Sequence, residues 1–178
     1  MKVVRAPNIA LLVAGIVALV IAACGGETTP SAVPPTPDLF DPPTPTSPPT
    51  STGLADVVAV AISGVPGNYS LSVTISSPDT GCRSYADWWE VVSTEGGLLT
   101  RRVLLHSHVD EQPFTRSGDP FEVRADAVLT VRAHMSEGGY GGTAMQGTVA
   151  EGFSSAVIPA GFASGLETQD PLPTNCAF

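Results

Sequence analysis

The chain has 178 residues, of which 43% are hydrophobic and 14% are charged, and its formal net charge is −9 at pH 7. Binding to nucleic acid needs clustered lysine and arginine that displace counterions, so a charge balance this acidic excludes a nucleic-acid-binding role. An anionic membrane surface would also repel the chain, and attachment to a membrane therefore has to use something other than charge.

The first 23 residues follow the order of a secretory signal. Lys2 and Arg5 give a positive start, and an apolar run from Ile9 to Ala22 follows. This run is too short to cross a bilayer comfortably, so we predict that residues 1–23 are a signal peptide and exclude them from the fold. Their removal would leave six arginines and no lysine against seventeen acids, a net charge of −11.

A cysteine follows the small residues that close this run. The stretch Ile21-Ala22-Ala23-Cys24 resembles the lipobox of bacterial lipoproteins. The resemblance implies cleavage before Cys24, two acyl chains such as palmitate on its sulfur, and often a third on the new N-terminus. Each buried methylene contributes about 0.8 kcal/mol, so several chains would hold the protein at the bacterial cell membrane or outer membrane, outside the cytoplasm. The alternative is an uncleaved membrane anchor with an incidental cysteine.

Residues 24–53 are rich in proline, threonine and serine, and Pro34-Pro35-Thr36-Pro37 recurs as Pro42-Pro43-Thr44-Pro45. Such a segment cannot bury enough apolar surface to offset its conformational entropy, so we predict a disordered linker, largely in the polyproline II conformation. We interpret it as a spacer between the lipidated cysteine and a folded domain. A proline-rich recognition motif or an O-glycosylated stalk is the alternative.

Residues 54–178 are predicted to form one all-β domain of ordinary size. Residues 69–76 alternate most clearly, with Leu71, Val73 and Ile75 on one face and hydroxyl side chains on the other. Turn residues separate seven predicted strands, at 56–63, 69–76, 86–94, 98–109, 120–124, 127–135 and 143–150. This pattern is typical of an immunoglobulin- or fibronectin-like β-sandwich, and a small β-barrel is the alternative. The last residues, 152–178, are expected to be loop-like.

Two cysteines remain in the predicted domain once Cys24 is assigned to lipid. An even pair in an exported protein indicates a disulfide, so we predict a bond between Cys82 and Cys176. A redox-active pair would usually lie close together in sequence, and these two do not. The bond would close most of the domain into one loop and tie the C-terminal tail back to residue 82.

The strand predicted at 98–109 carries two of the three histidines. Its hydrophobic side chains share one parity, which assigns the core face to Leu99, Val103, Leu105 and Val109. His106 and His108 are two residues apart on the other parity, so both rings are expected to point outward.

A metal site is the most specific chemistry that the sequence offers. His134 lies on the polar parity of the strand at 127–135, and its ring would converge with His106 and His108 if both strands belonged to one sheet. Three imidazoles in this arrangement bind zinc or copper, and one of the acids after His108 would add a ligand. Arginines on the same face would oppose a cation, so we expect no tight metal site and no cofactor.

Two further features have both a structural and a binding interpretation. Adjacent strand residues point to opposite faces, so one of Trp88 and Trp89 is expected in the core. The other is either an exposed platform for a sugar or peptide or a residue covered by the C-terminal tail. In the segment 111–120 we interpret Phe114 as a cap on the core and Arg116 as the partner of a nearby acid, with a binding loop as the alternative.

The sequence lacks the Gly-x-Ser-x-Gly, phosphate-loop and His-Glu-x-x-His motifs of common enzymes, and we expect no catalysis. The stretches WWEVVSTEGG and RAHMSEGGYGG resemble secreted bacterial domains of no assigned function. We therefore expect a membrane-anchored, extracytoplasmic lipoprotein whose non-catalytic sandwich serves in binding or envelope structure. Its expected partners are the bilayer, through the acyl anchor, and another envelope protein or a glycan. The alternative is a periplasmic or surface metal-binding protein that uses the histidine cluster.

Overall fold

The computed structural model describes residues 53–177. The predicted signal peptide, Cys24 and all of the predicted linker except Gly53 lie outside the described residues. The strands are β1 (Asp56–Val65), β2 (Asn68–Ser76), β3 (Ala86–Ser93), β4 (Leu98–Val103), β5 (Phe114–Ser117), β6 (Leu129–Met135), β7 (Ala144–Thr148) and β8 (Gly152–Ala156). A short 3₁₀ helix, Ser164–Thr168, follows β8. Within residues 53–177 no helix is long and apolar enough to cross a membrane.

The strands form two antiparallel sheets, one with the order β1-β2-β5 and one with the order β4-β3-β6-β7-β8. Each sheet keeps two edge strands among the described residues, so the sheets do not close into a barrel. The prediction of a β-sandwich is confirmed, and the small barrel is wrong. The number of strands is eight where the sequence predicted seven.

The strand count differs because two short strands lie in segments that were predicted as loops. β5 has four residues, and only Phe114 of these is fully buried, so its alternation is too brief to identify from sequence. β8 pairs with β7 through a tight turn after Thr148. The strand predicted at 120–124 is reduced to a single bridge between Tyr69 and Phe121.

The hydrophobic core lies between the two sheets. The alternation predicted for β2 is confirmed, because Leu71, Val73 and Ile75 are each 0% exposed. The larger sheet contributes side chains from β3 and β6, with Trp89 the largest of them. A Cβ on Gly118 would lie 2.5 Å from Cη2 of Trp89, so the residue after β5 has to be glycine for the indole to fit.

The predicted orientation of the 98–109 strand is wrong. β4 ends at Val103, and Leu105 and Val109 are 55% and 51% exposed, whereas Arg101 and His108 are buried. Register places Arg101 opposite Glu90, on the face of the sheet that points away from the core. Hydrophobicity misassigned this strand because the face away from the core is itself covered by protein.

The disulfide between Cys82 and Cys176 is present, with 5.5 Å between the two Cα atoms. Next to it, the amide of Ala177 donates to the carbonyl of Leu105 at 2.5 Å. The C-terminal tail is therefore tied back to residue 82, as the cysteine count predicted, and it also lies beside the segment that follows β4.

Candidate functional site

Three charged residues stand side by side on the outer face of the larger sheet. Arg101 on β4 and Arg132 on β6 each lie directly opposite Glu90 on β3, the strand between them. Because directly opposed residues point to the same face of a sheet, the three side chains form a line across three strands. We call Arg101, Glu90 and Arg132 the charged row. Their side chains are 0%, 0% and 7% exposed, so this is a buried ionic cluster.

The carboxylate of Glu90 accepts hydrogen bonds on both of its oxygens. Arg101 donates from Nε at 2.8 Å and from Nη2 at 2.5 Å to Oε2, while Arg132 donates from Nε at 2.8 Å to Oε1. The hydroxyl of Tyr140 also donates to Oε1, at 2.8 Å. Burial, followed by the neighbouring Glu90 carboxylate, raises the pKa of Tyr140 to about 12. The phenol therefore stays protonated and keeps donating across the physiological pH range.

The remaining N–H groups of both arginines hold the chain that follows β8. Arg101 donates to the carbonyls of Leu166 at 2.6 Å, Gln169 at 2.5 Å and Pro171 at 3.1 Å. Arg132 donates to the carbonyls of Phe162 at 2.6 Å and Ala163 at 2.9 Å. We call residues 162–171 the clamped segment. The two arginines bind main-chain carbonyls of the clamped segment, so the side chains of residues 162–171 contribute little to these hydrogen bonds.

A stack of rings extends the charged row toward one end of the sheet. Trp88 lies parallel to the ring of His134, with centroids 3.6 Å apart, and the Arg101 guanidinium lies 4.6 Å from the Trp88 ring. Nδ1 of His134 and Oδ1 of Asp87 are 2.7 Å apart. Trp88 is only 3% exposed, so it is not an exposed platform for a sugar or peptide. Trp88 is covered by the side chains around it, of which Arg101 in turn binds carbonyls of the C-terminal tail.

A cleft of about 440 Å³ opens between this sheet face and the chain after β8. It forms because β7 and β8 pair as far as Ala144 and Ala156 and then diverge. Small residues make up most of its wall, and its polar side chains are those of Arg132, Tyr140, Thr143, Ser164 and Glu167. Its volume and mixed lining are those of a site for a small molecule.

The other two histidines lie beyond the end of β4. The His108 ring stacks on Phe114 with centroids 3.7 Å apart, and its centroid is 4.4 Å from that of His106. His108 is 3% exposed, and neither of its ring nitrogens has a hydrogen-bond partner among the described residues. The nearest carboxylate oxygen, on Asp79, is 3.9 Å from Nδ1. Burial lowers the pKa of His108, and the positive charge of Arg116 lowers it further.

The three histidines do not form the cluster that a metal site would require. His134 is paired with Asp87 on the outer sheet face, whereas His106 and His108 lie beside Phe114. Nowhere in residues 53–177 are three or more His, Cys, Asp or Glu side chains arranged to hold a metal ion. The zinc or copper site that the sequence offered as an alternative therefore lacks its expected geometry.

The segment 111–120 has the structural interpretation that the sequence analysis preferred. Phe114 is 2% exposed and belongs to the core, and Arg116 Nη2 lies 2.8 Å from Glu111 Oε2. This ion pair is open to solvent, where water and salt screen its charges, so its effect on the fold is small.

Sequence reasoning missed the charged row. The signal was Glu90 inside the run Trp88–Val92, because a carboxylate in the middle of a buried strand requires a cationic partner. Arginine is the only strong cation available to the domain, and Arg101 and Arg132 lie on strands that neighbour β3. The sequence could therefore have predicted that Glu90 pairs with arginine, but it could not have predicted the contacts with the clamped segment.

Comparison with known proteins gives one informative relative. No protein-family model matches the chain, and no solved structure matches it. A protein of Halomicrobium mukohataei named "putative lipoprotein" is 39% identical over 104 residues, which cover 58% of this chain and 51% of the relative. The chain thus spans about half the length of the curated relative it matches.

Proposed function

We propose that this protein is a lipid-anchored, extracytoplasmic lipoprotein. Its Cys24 would carry the acyl chains, residues 25–53 would act as a spacer, and the sandwich would be displayed beyond them. The observation that carries the proposal is the position of Cys24 directly after small residues at the end of an apolar run. The name of the relative and the Cys82–Cys176 disulfide, which suits an oxidising compartment, support it.

The anchor is tested by substituting Cys24→Ser in the full chain, in cells supplied with labelled fatty acid. The variant should incorporate no label and should retain its N-terminal 23 residues, because sulfur is the acceptor and processing depends on it. Ser31→Ala, seven residues further on, is the matched control and should be labelled and processed normally. Equal labelling of the Cys24→Ser variant would contradict the proposal.

The sandwich in this proposal serves in binding or envelope structure. Two restraints on the C-terminal tail support such a role, the disulfide and the hydrogen bonds of the charged row. Both would stabilise a domain that is exposed outside the cell. We place a ligand in the cleft beside Tyr140, and a glycan of the envelope is the class that fits a wall of small residues with a few hydrogen-bonding side chains.

Saccharide fragments released from the envelope of the host test this assignment on the isotope-labelled full chain. Chemical shifts should move in residues 141–144 and 156–162, which line the cleft from its two sides. The turn at Pro66 and Gly67, at a distant surface, is the internal control and should not respond. Shifts that are absent from the cleft, or equal at both places, would remove the glycan from the proposal and leave the anchor unaffected.

A further inference from the structure

Strand β1 has an open edge. It pairs with β2 along its length, and within residues 53–177 it has no strand on its other side. The amide of Val57 donates to the carbonyl of Thr143 at 2.8 Å, which covers the start of the strand. A β-bulge at Val58 follows, and from Ala59 to Val65 the register with β2 is regular. Alternate amides and carbonyls of this stretch therefore face outward with no partner from the described chain.

This edge lacks the features that normally prevent pairing with another chain. Natural edge strands are protected by charged side chains, proline, further bulges or short length. Residues 58–65 contain neither a charged residue nor a proline, in a chain whose net charge is −9. β1 has ten residues, whereas the other three edge strands β5, β8 and β4 have four, five and six. β1 is the edge at which a second chain would add most readily.

The sheet face beside this edge is also free of charge. Ala59, Ala61 and Ser63 lie on its solvent side, opposite Thr74, Ser72 and Ser70 of β2. The next column, on β5, consists of Thr115 and Ser117, whose hydroxyls are hydrogen-bonded to those of Thr74 and Ser72 at 2.8 and 2.7 Å. A second acidic molecule could approach along this face without meeting like charge, which is the main barrier to self-association for a chain of −9.

We infer that β1 is a docking surface for a second copy of this chain, which adds its own β1 in antiparallel orientation. The joined sheet would have the order β5-β2-β1-β1-β2-β5. Antiparallel pairing of a strand with itself is self-complementary, so the assembly closes as a two-fold dimer. With the axis at Ala61, Val60 of each copy lies opposite Ile62 of the other, and Ala59 lies opposite Ser63. These pairs bring together β-branched or small side chains and no charges.

The expected association is weak and reversible. Stable interfaces bury roughly 1,200–2,000 Å², and seven residues of added strand from each copy fall short of that range. Covalent capture is therefore the suitable readout. The inference does not depend on the proposed lipid anchor, although tethering to one surface would raise the local concentration of both copies.

The test places one cysteine in the full chain and applies a mild oxidant to the protein in its native membrane or cell fraction. Ala61→Cys should form a disulfide-linked homodimer, since this residue faces itself across the axis. Ser117→Cys, exposed on the same face but at the opposite edge, is the matched control and should form at least tenfold less. The unsubstituted chain shows any dimer that arises without the introduced thiol.

A second variant separates specific pairing from collision. Ala59→Lys added to Ala61→Cys places a lysine on the docking edge of each copy, the feature that protects natural edge strands from pairing, so cross-linking should fall at least tenfold while the melting temperature stays the same. The inference is overturned if Ala61→Cys yields no homodimer, if it cross-links no better than Ser117→Cys, or if the product contains a different protein.

Discussion

The two outer faces of the sandwich differ in the kind of polar residue that they carry and in whether those residues meet solvent. On the larger sheet the polar residues are charged and aromatic, and the chain after β8 covers them, so that Glu90 is 0% exposed. On the smaller sheet the polar residues are serine and threonine, they are uncharged, and they face solvent. The comparison teaches that polar parity along a strand identifies a face but does not tell whether that face meets water or another part of the chain.

The disulfide is expected to give the largest effect on the covered side of this comparison. Replacing both Cys82 and Cys176 with alanine removes the restraint on a loop that spans 94 residues of sequence. In the chain-entropy model such a loop accounts for roughly 4–5 kcal/mol of unfolding free energy. Chemical denaturation of the variant and of the oxidised chain measures the difference. A loss below 1 kcal/mol would show that the disulfide contributes little to the stability of the fold.

Substitution of Glu90→Gln is expected to cost about 3–5 kcal/mol, because it leaves two buried arginines without a compensating charge. Thr74→Val is the counterpart on the open face and should change the unfolding free energy by no more than about 0.5 kcal/mol. Both values come from denaturant titrations at one pH. If the two variants lose equal stability, the contrast between the covered and the open face is wrong.

His108 should make stability depend on pH by a smaller amount. Burial lowers its pKa in the fold, so the folded state prefers the neutral ring. Stability is then complete above the unfolded pKa of about 6.5 and falls as the pH drops below it, because the unfolded chain takes up the proton first. Asp79 and Glu111 oppose this effect, while Arg116 and His106 strengthen it.

Melting curves between pH 5 and 8 test this dependence. His108→Phe keeps a ring stacked on Phe114 and removes the titrating group, so its melting temperature should change less below pH 6.5 than that of the parent chain. His106→Gln is the comparison variant: it removes only a neighbour that helps lower the pKa of His108, so it should keep most of the pH dependence. Parallel curves for His108→Phe and the parent would show that another group causes the acid sensitivity.

The sequence was sufficient for the parts of the fold that follow from hydrophobic alternation. β2 could be predicted residue by residue, because Leu71, Val73 and Ile75 alternate with hydroxyls on a sheet with one open face. The disulfide followed from an even cysteine count in an exported chain. Hydrophobic residues alternate clearly along a strand only where one of its faces is buried and the other meets solvent, and β2 satisfies that condition.

The features that the sequence did not predict lie where no strand face meets solvent or where the contact is made by the main chain. β3 and β6 are buried on both faces, and β4 turns Arg101 toward the covered side, so hydrophobicity alone assigned β4 the wrong way round. The clamped segment is held through its main-chain carbonyls. Every residue type carries such a carbonyl, so the sequence gives no sign of these hydrogen bonds. A long-range contact of this kind follows from the fold and from no local pattern.

Hydrogen exchange on Arg101→Met tests most directly whether the charged row holds the clamped segment. Arg101 donates to three carbonyls of that segment, and the amides of Leu166 and Gln169 form its internal hydrogen bonds. The exchange rate of the peptide covering 162–171 should rise at least tenfold, while β2 stays protected and Arg124→Met, at an exposed arginine, changes neither. Unchanged protection of 162–171 in a folded Arg101→Met chain would contradict the account.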